Sequence, residues 1–179
     1  LLCSDSSRYI WVQRLASYYG LTFKECNPSN LSSSKLNALM QAQYGATERA
    51  VEAQVSAFQG DIGHDALGSN DLVTVWVGMN DVIEIYKDSV TYSSTADKTT
   101  EAEARGEALG RLINSITDTG ARVLVAQVFE MGSTPWAKAQ GSSEAKLMTS
   151  ISDAFNQGLR TTLLNDGSKI GLLTFNDAV

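Results

Sequence analysis

The chain has 179 residues, of which 43% are hydrophobic and 19% are charged, and its formal net charge is −6. This length predicts one domain, spanning residues 1–179, that is large enough to bury a substantial core. The acidic balance disfavours a nucleic-acid partner, which requires a basic surface. No run approaches the roughly eighteen apolar residues of a membrane helix, so we expect no stable membrane insertion.

The ends of the chain lack the features of natural termini. It begins abruptly on the apolar residues Leu1 and Leu2, with no basic segment of the kind that opens a signal peptide. It stops shortly after a strand pattern that includes Thr174 and Phe175. We therefore expect both ends to be truncated.

The two cysteines, Cys3 and Cys26, flank one predicted helix. Spacing alone leaves two interpretations open: a disulfide in an exported protein, or two buried thiols. The chain has a single histidine, His64, and no CxxC motif. We therefore expect no structural zinc site and no other cofactor.

The first part of the chain alternates between helical patterns and polar loops. Apolar residues at helical spacing predict helices over Arg8 to Tyr19, ended by Gly20, and over Ala46 to Phe58. Thr22 and Phe23 fit a short strand. Ser, Asn, Pro and Gly predict loops over Asn27 to Ser34 and Gly60 to Asn70.

Three apolar, β-rich runs follow, separated by helical patterns. The runs predict buried strands over Leu72 to Val77, Arg122 to Val128 and Ile170 to Phe175. Helices are predicted from Asp81 to Tyr86, Glu101 to Thr117 and Ser142 to Leu164, and a polar excursion over Ser89 to Lys98.

The helix over Glu101 to Thr117 has a predicted inner and a predicted outer face. Its apolar stripe is expected at Ala104, Ala108, Leu112 and Ile116. Glutamates of the same helix are expected on a solvated face, paired with Arg105 and Arg111.

Strands that alternate with helices of this length predict βαβ units and a parallel sheet. The predicted fold class is therefore α/β, as a three-layer α/β/α sandwich. In an open parallel sheet, ligands bind outside the carboxyl ends of the strands. That rule selects residues 78–81, 129–135 and 176–177.

The turn Gly78-Met79-Asn80-Asp81 is the most informative of these segments. Glycine lets the backbone leave the strand tightly, and an asparagine amide can hold an oxyanion without titrating away. Asp81 would cap the helix that follows. The alternative is a plain strand–turn–helix junction in which Asn80 is a helix cap.

Several segments together resemble the GDSL/SGNH ester hydrolases of secreted bacterial type. Asp71 to Val82 is similar to the family's third block, whose Asn donates to the oxyanion; Asn80 matches it. Ala42 to Thr47 resembles the second block, whose Gly gives a backbone N–H to the same oxyanion; Gly45 matches it. Further similar segments are Ile10 to Ala16, Phe129 to Pro135 and Ala154 to Leu159.

The resemblance implies a flavodoxin-like sheet and a serine nucleophile with a histidine base. The only candidate nucleophile is Ser6, which follows Asp5 where the family has Gly-Asp-Ser; the alternative, which we favour, is a first block upstream of this sequence. The family's Asp-x-x-His lies near the C-terminus, and this chain has none there. Its one histidine, His64 in the segment Asp61 to Ala66, precedes the third block, so we interpret His64 as a surface residue. The chain is thus expected to lack the first and last family blocks.

These expectations favour a serine ester hydrolase, an esterase, lipase or carbohydrate-ester hydrolase, acting on a small ester of an acyl chain or acetylated glycan. The alternative is a catalytically inactive SGNH-fold module that binds such a ligand. An unrelated flavodoxin-like binding or signalling domain is disfavoured, because neither the acidic residues of a receiver nor the phosphate loop of a flavodoxin is present intact. If Cys3 and Cys26 bridge, as the resemblance implies, the protein is secreted or periplasmic.

Overall fold

A computed structural model describes residues 9–27, 30–32, 36–62 and 67–175. The chain divides into two compact units, Leu1–Ala42 and Gln43–Val179. The single domain expected over 1–179 therefore stays a prediction. In the described ranges the fold is mixed α/β, with six α-helices and a three-stranded parallel sheet, which confirms the α/β class.

The first unit contains helix α1 (Trp11–Tyr18), which ends where the sequence predicts. Gly20 has a left-handed φ of 68°, and the N–H of Leu21 donates to the carbonyl of Ala16 at 2.8 Å. This pairing across a left-handed glycine satisfies carbonyls that the last helical turn leaves open. The predicted strand near Phe23 is reduced to a single parallel bridge between Phe23 and Ala38.

A small core holds the first unit together. Its buried members are Ala16, Phe23 and Cys26. Cys26 is not a free thiol, and the buried side chain of Gln13 lies 3.5 Å from its sulfur. Cys3 lies outside the described residues, so the expected disulfide with Cys26 stays a prediction.

The second unit contains the sheet and the remaining helices. The strands are β1 (Leu72–Trp76), β2 (Arg122–Ala126) and β3 (Ile170–Leu173), in the order β1-β2-β3. The helices are α2 (Glu48–Ile62), α3 (Met79–Lys87), α4 (Thr95–Asp118), α5 (Pro135–Ala139) and α6 (Ser142–Thr162), with a 3₁₀ turn at Met131–Ser133. All three strands predicted for this part are present, each shorter than expected.

Strand order explains why α4 and α6 pack against each other. Each of these helices lies in the connection between two neighbouring parallel strands. Because such crossovers are right-handed and the order advances in one direction, both helices fall on the same face of the sheet. Val75, Val123 and Val125 are buried in one core with residues of α4 and α6.

The opposite face of the sheet carries exposed apolar side chains. Leu72 is 46% exposed, Trp76 38% and Leu173 43%. Leu72 and Trp76 alternate with valines along β1, and Leu173 follows the half-buried Leu172 in β3. A second helical layer requires the strand order to reverse, and the order β1-β2-β3 contains no reversal. The three-layer sandwich and its flavodoxin-like sheet therefore stay predictions.

Helix α4 begins earlier than predicted, and its buried face consists of partly different residues. It starts at Thr95 instead of Glu101, because Ser94 and Asp97 form a capping box in which the Ser94 side chain accepts from the Asp97 N–H. The predicted stripe is confirmed at Ile116, which is buried, and wrong at Ala104, which is exposed; Ala102, Leu109 and Ile113, which were not predicted, are fully buried.

Lys98, in the first turns of α4, closes the far end of α3. It is 6% exposed, and its ammonium donates to the carbonyls of Ile85, Tyr86 and Asp88. Carbonyls at the end of a helix have no partner within it, and a cation is favoured there. The segment predicted as a polar excursion therefore contains a buried lysine that stabilises α3.

Candidate functional site

The candidate site is built on the turn that follows β1. Gly78 precedes α3 with a φ of 116°, a backbone conformation that residues with a side chain rarely adopt. A Cβ at this position would lie 2.4 Å from Val128 Cγ2 and 2.8 Å from the Phe155 ring. The turn therefore requires glycine for two reasons, which confirms the predicted tight exit from the strand.

Asn80 lies in the first turn of α3, half-buried. Its side-chain amide donates to the carbonyl of Ala46 at 2.9 Å. The helix has no side-chain cap at its N-terminus, where Gly78 stands, so the alternative interpretation of Asn80 as the cap is wrong. An amide nitrogen carries two hydrogens, and among the described residues the second hydrogen has no acceptor.

Gly45 lies directly before the residue that Asn80 holds. It is exposed, with a φ of 78°, and a Cβ at this position would meet nothing within 4 Å. In the described part of the chain, its backbone N–H has no hydrogen-bond acceptor. The two residues that the sequence selects as oxyanion donors are thus joined through Ala46, and each has one N–H without an acceptor in the described ranges.

Asp81 does not cap α3, contrary to the prediction. Its carboxylate instead accepts the backbone N–H of Glu48 at 3.0 Å, at the first residue of α2. The first N–H groups of a helix lack partners within it. Asp81 therefore caps α2 from α3, across 33 residues of sequence.

A buried arginine neutralises Asp81. Arg105 is 4% exposed and Asp81 is fully buried, and Nη1 of Arg105 lies 3.0 Å from Oδ1 of Asp81. The same guanidinium donates to Glu84 and to Glu101, each at 2.8 Å. The predicted pairing of Arg105 with a glutamate of its own helix is confirmed, but its placement on a solvated face is wrong.

The pKa values of these three groups are set by burial and by the charges and hydrogen bonds around them. Burial raises the pKa of the Asp81 carboxyl, although hydrogen bonds from Arg105 and Glu48 act in the opposite direction. Burial also raises the pKa of the Glu48 carboxyl, and the nearby charge of Asp81 adds to this. Burial alone would lower the pKa of Arg105, but its hydrogen bonds to carboxylates outweigh burial and raise it.

The segment after β2 is fixed by Asn156 of α6. Its side chain accepts the N–H of Val128 at 2.9 Å and donates to the carbonyl of Val128 at 2.8 Å. The adjacent Gln127 is 3% exposed, and its amide nitrogen has no partner in the described ranges. The predicted segment 129–135 therefore forms a 3₁₀ turn and the start of α5 on a rigid base.

The remaining predicted site residues lie outside the described ranges. They are the candidate nucleophile Ser6, the single histidine His64, and residues 176–177, which follow the last strand in the sequence. Within the described residues, no group of three or more His, Cys, Asp or Glu side chains could hold a metal ion. None of the helices there combines the length and apolar content that a membrane span requires.

Comparison with known proteins adds no family assignment. No protein-family model matches the chain, and no curated protein matches it significantly. The SGNH resemblance therefore stays a prediction, alongside the α/β fold with a parallel sheet that the structure establishes.

Proposed function

We propose that the chain is the core of a serine ester hydrolase of SGNH type, on a flavodoxin-like three-layer fold, in which Asn80 and Gly45 stabilise the oxyanion. One observation carries this proposal: the Asn80 amide donates to Ala46, next to Gly45, while a second amide hydrogen and the Gly45 N–H have no acceptor among the described residues. These are two uncharged donors, joined through Ala46.

The chemistry assigned to these donors follows from where charge develops. When a serine oxygen attacks an ester carbonyl, the carbonyl oxygen becomes an oxyanion and gains negative charge. The Asn80 amide and the Gly45 N–H would donate to that oxygen, and the N-terminus of α3 adds partial positive charge. Donors that are already oriented need no rearrangement during the reaction.

The serine and its base are assigned only by resemblance. Ser6 is the candidate nucleophile in this sequence, and an upstream Gly-Asp-Ser is the alternative. A base requires a histidine within hydrogen-bond reach of the serine, and the sequence contains only His64. We therefore expect the 179 residues alone to hydrolyse a short-chain nitrophenyl ester negligibly.

The second candidate is an inactive SGNH-fold module that binds an acyl or glycan ligand. The observation that favours it is that no Asp-x-x-His follows the third block: the one in this sequence, Asp61 to His64, precedes that block. Reading the coding sequence on both sides of these residues separates the two candidates. Gly-Asp-Ser upstream and Asp-x-x-His downstream would eliminate the inactive module.

The decisive experiment is Asn80→Ala in protein expressed from the full coding sequence. Loss of one oxyanion donor lowers kcat by about 10²–10³-fold, and KM should change little because the substrate carbonyl is bound weakly before attack. Asn165→Ala, at an exposed loop position, is the matched control and should retain full activity. Unchanged kcat in Asn80→Ala would eliminate the proposed role.

Export is a separate part of the proposal. A Cys3–Cys26 disulfide is expected in a secreted or periplasmic protein. Titration of thiols under denaturing conditions without reductant should detect none, and two reactive thiols would contradict the disulfide.

A further inference from the structure

The loop that carries Gly45 is attached to α3 at two points. Asn80 donates to the carbonyl of Ala46 at 2.9 Å, and Asp81 accepts the N–H of Glu48 at 3.0 Å. Because Asn80 and Asp81 are consecutive residues in the first helical turn, the two bonds form one rigid attachment. The backbone of Gly45, directly before the first attachment point, takes its direction from it.

The second attachment depends on a buried charge pair. Oδ2 of Asp81 binds the Glu48 N–H, while Oδ1 is held by the guanidinium of Arg105 at 3.0 Å. A planar guanidinium imposes direction as well as charge on a carboxylate. Glu84 and Glu101 occupy the other nitrogens of Arg105 at 2.8 Å each, which prevents the guanidinium from rotating.

The same network returns to the helix that Asp81 caps. Arg49, in the first turn of α2, donates to the Glu101 oxygen that also accepts from Arg105. The start of α2 is thus connected to α3 through Asp81 and to α4 through Glu101. Arg105 is the residue common to both connections.

We propose that Asp81 and Arg105 are positioning residues for the oxyanion donors: the buried ion pair holds the start of α2 so that the Gly45 N–H and the Asn80 amide point to one place. This inference rests on the proposed function for its catalytic consequence. The structural coupling from Asp81 to Gly45 has its own readout, which needs no turnover.

The test is Asp81→Asn. Glu48 and Arg105 donate to different oxygens of Asp81. Asparagine replaces one of these oxygens by an NH₂ group, which then faces a donor, so one of the two contacts is lost. We expect faster hydrogen exchange of the Glu48 amide and a shifted Gly45 amide resonance in the 179-residue chain. In protein from the full coding sequence, we expect kcat to fall about ten- to a hundredfold with KM nearly unchanged.

Two control variants separate positioning from stability. Glu107→Gln removes a carboxylate from an exposed ion pair with Arg111 on the same helix, and it leaves every contact of Arg105 and Asp81 intact. Ile113→Val lowers stability from a fully buried site that touches neither donor. Both should keep the wild-type Gly45 resonance and kcat; a loss of kcat in Ile113→Val equal to that in Asp81→Asn would overturn the proposal.

Arg105→Lys provides the same test if Asp81→Asn fails to fold. Lysine keeps the positive charge but replaces the planar fork by a single ammonium. The Gly45 resonance should move in the same direction as in Asp81→Asn. An unmoved Gly45 resonance in a folded Arg105→Lys variant would overturn the proposal.

Titration with sodium butyrate distinguishes this inference from the proposed function. A carboxylate product should shift the Gly45 amide and the Asn80 side-chain amide in the wild-type chain, and more weakly in Asp81→Asn. No response in the wild type would count against the proposed function. The positioning proposal would then stand or fall on the Gly45 resonance of Asp81→Asn, which does not require the ligand.

Discussion

Helix α4 makes two chemically different contacts with its neighbouring helices. Against α6 it packs through glycines, so closely that a Cβ at Gly106 would lie 2.0 Å from the Phe155 carbonyl oxygen and one at Gly158 would lie 2.1 Å from that of Glu103. Against α3 it offers the guanidinium of Arg105, which binds the carboxylates of Asp81 and Glu84, and against α2 it offers Glu101, which pairs with Arg49. One contact is apolar and the other is ionic.

The two contacts respond to different perturbations. The glycine contact has no room for added atoms. The charged group beside it, Glu103, accepts from Gln157 at the exposed edge, outside the close approach of the two backbones, so we expect the packing contribution to be independent of pH. The arginine contact depends on the match of charges, because an uncompensated buried charge is strongly destabilising. Variants on the same helix can therefore separate the effect of packing from the effect of charge.

The largest effect is expected for Arg105→Met. The variant keeps a long side chain but leaves Asp81 buried without its partner, which lowers the free energy of unfolding by about 3–5 kcal/mol. The loss should shrink in acid, because the unpaired carboxyl can then become protonated. Urea denaturation at neutral and acidic pH measures both effects, and a loss that is independent of pH would contradict the ionic interpretation.

The next effect is expected for Gly158→Ala. Its Cβ would collide with backbone of α4, which cannot move without separating the helices, so the free energy of unfolding should fall by about 3 kcal/mol. The loss should be equal at neutral and acidic pH. Gly167→Ala, where a Cβ would meet nothing within 4 Å, is the control and should change stability by less than about 0.5 kcal/mol.

A smaller effect of opposite sign is expected for Glu48→Gln. Burial raises the pKa of Glu48 above its ordinary 4.5, so the folded state binds more protons than the unfolded state just above that pH. The free energy of unfolding therefore falls as pH rises through the folded-state pKa, and is fully retained below 4.5. Glutamine stays neutral, so the variant should be more stable than wild type at neutral pH.

The difference in the free energy of unfolding between Glu48→Gln and wild type should disappear in acid, where both side chains are neutral. Denaturation curves over this pH range provide the measurement. A variant less stable than wild type at neutral pH would mean that attraction to Arg49 and Arg105 outweighs burial.

The smallest effect is expected for Arg111→Met. Arg111 lies on the same helix as Arg105 and also pairs with a glutamate four residues away, at 3.3 Å, but its side chain is 62% exposed. An exposed pair contributes less than about 0.5 kcal/mol. If Arg111→Met and Arg105→Met proved equally destabilising, burial would not be the reason that the ion pairs of Arg105 stabilise the fold.

Local patterns in the sequence predict much of this fold. The three strands are β-rich apolar runs, and Gly20 and Gly120 end the helices before them with left-handed φ values of 68° and 95°. The start of α4 was also readable, because Ser94 and Asp97 stand at the spacing of a capping box. The helix α5 was missed because its five residues are too few to show a period.

The placement of Arg105 could not be predicted from local patterns alone. Its partner Asp81 lies 24 residues away, and the contact of Asp81 with Glu48 spans 33 residues. Helical spacing from Ala102 to Leu109 does place Arg105 on the buried face, but a charged residue there is interpreted as exposed until its partners are known. The candidate donors Asn80 and Gly45 were selected by resemblance, and their link through Ala46 emerged only from the structure.

Because the ammonium of Lys98 is buried against the end of α3, chemical labelling of this lysine can report when that contact opens. An acylating reagent such as acetic anhydride reacts with amines that reach solvent, and Lys98 is 6% exposed with its hydrogens bound to three carbonyls. The exposed Lys87, at the end of the same helix, should react at once. The delay between the two lysines, read by mass spectrometry of the unaltered protein, therefore measures how often α3 detaches from α4.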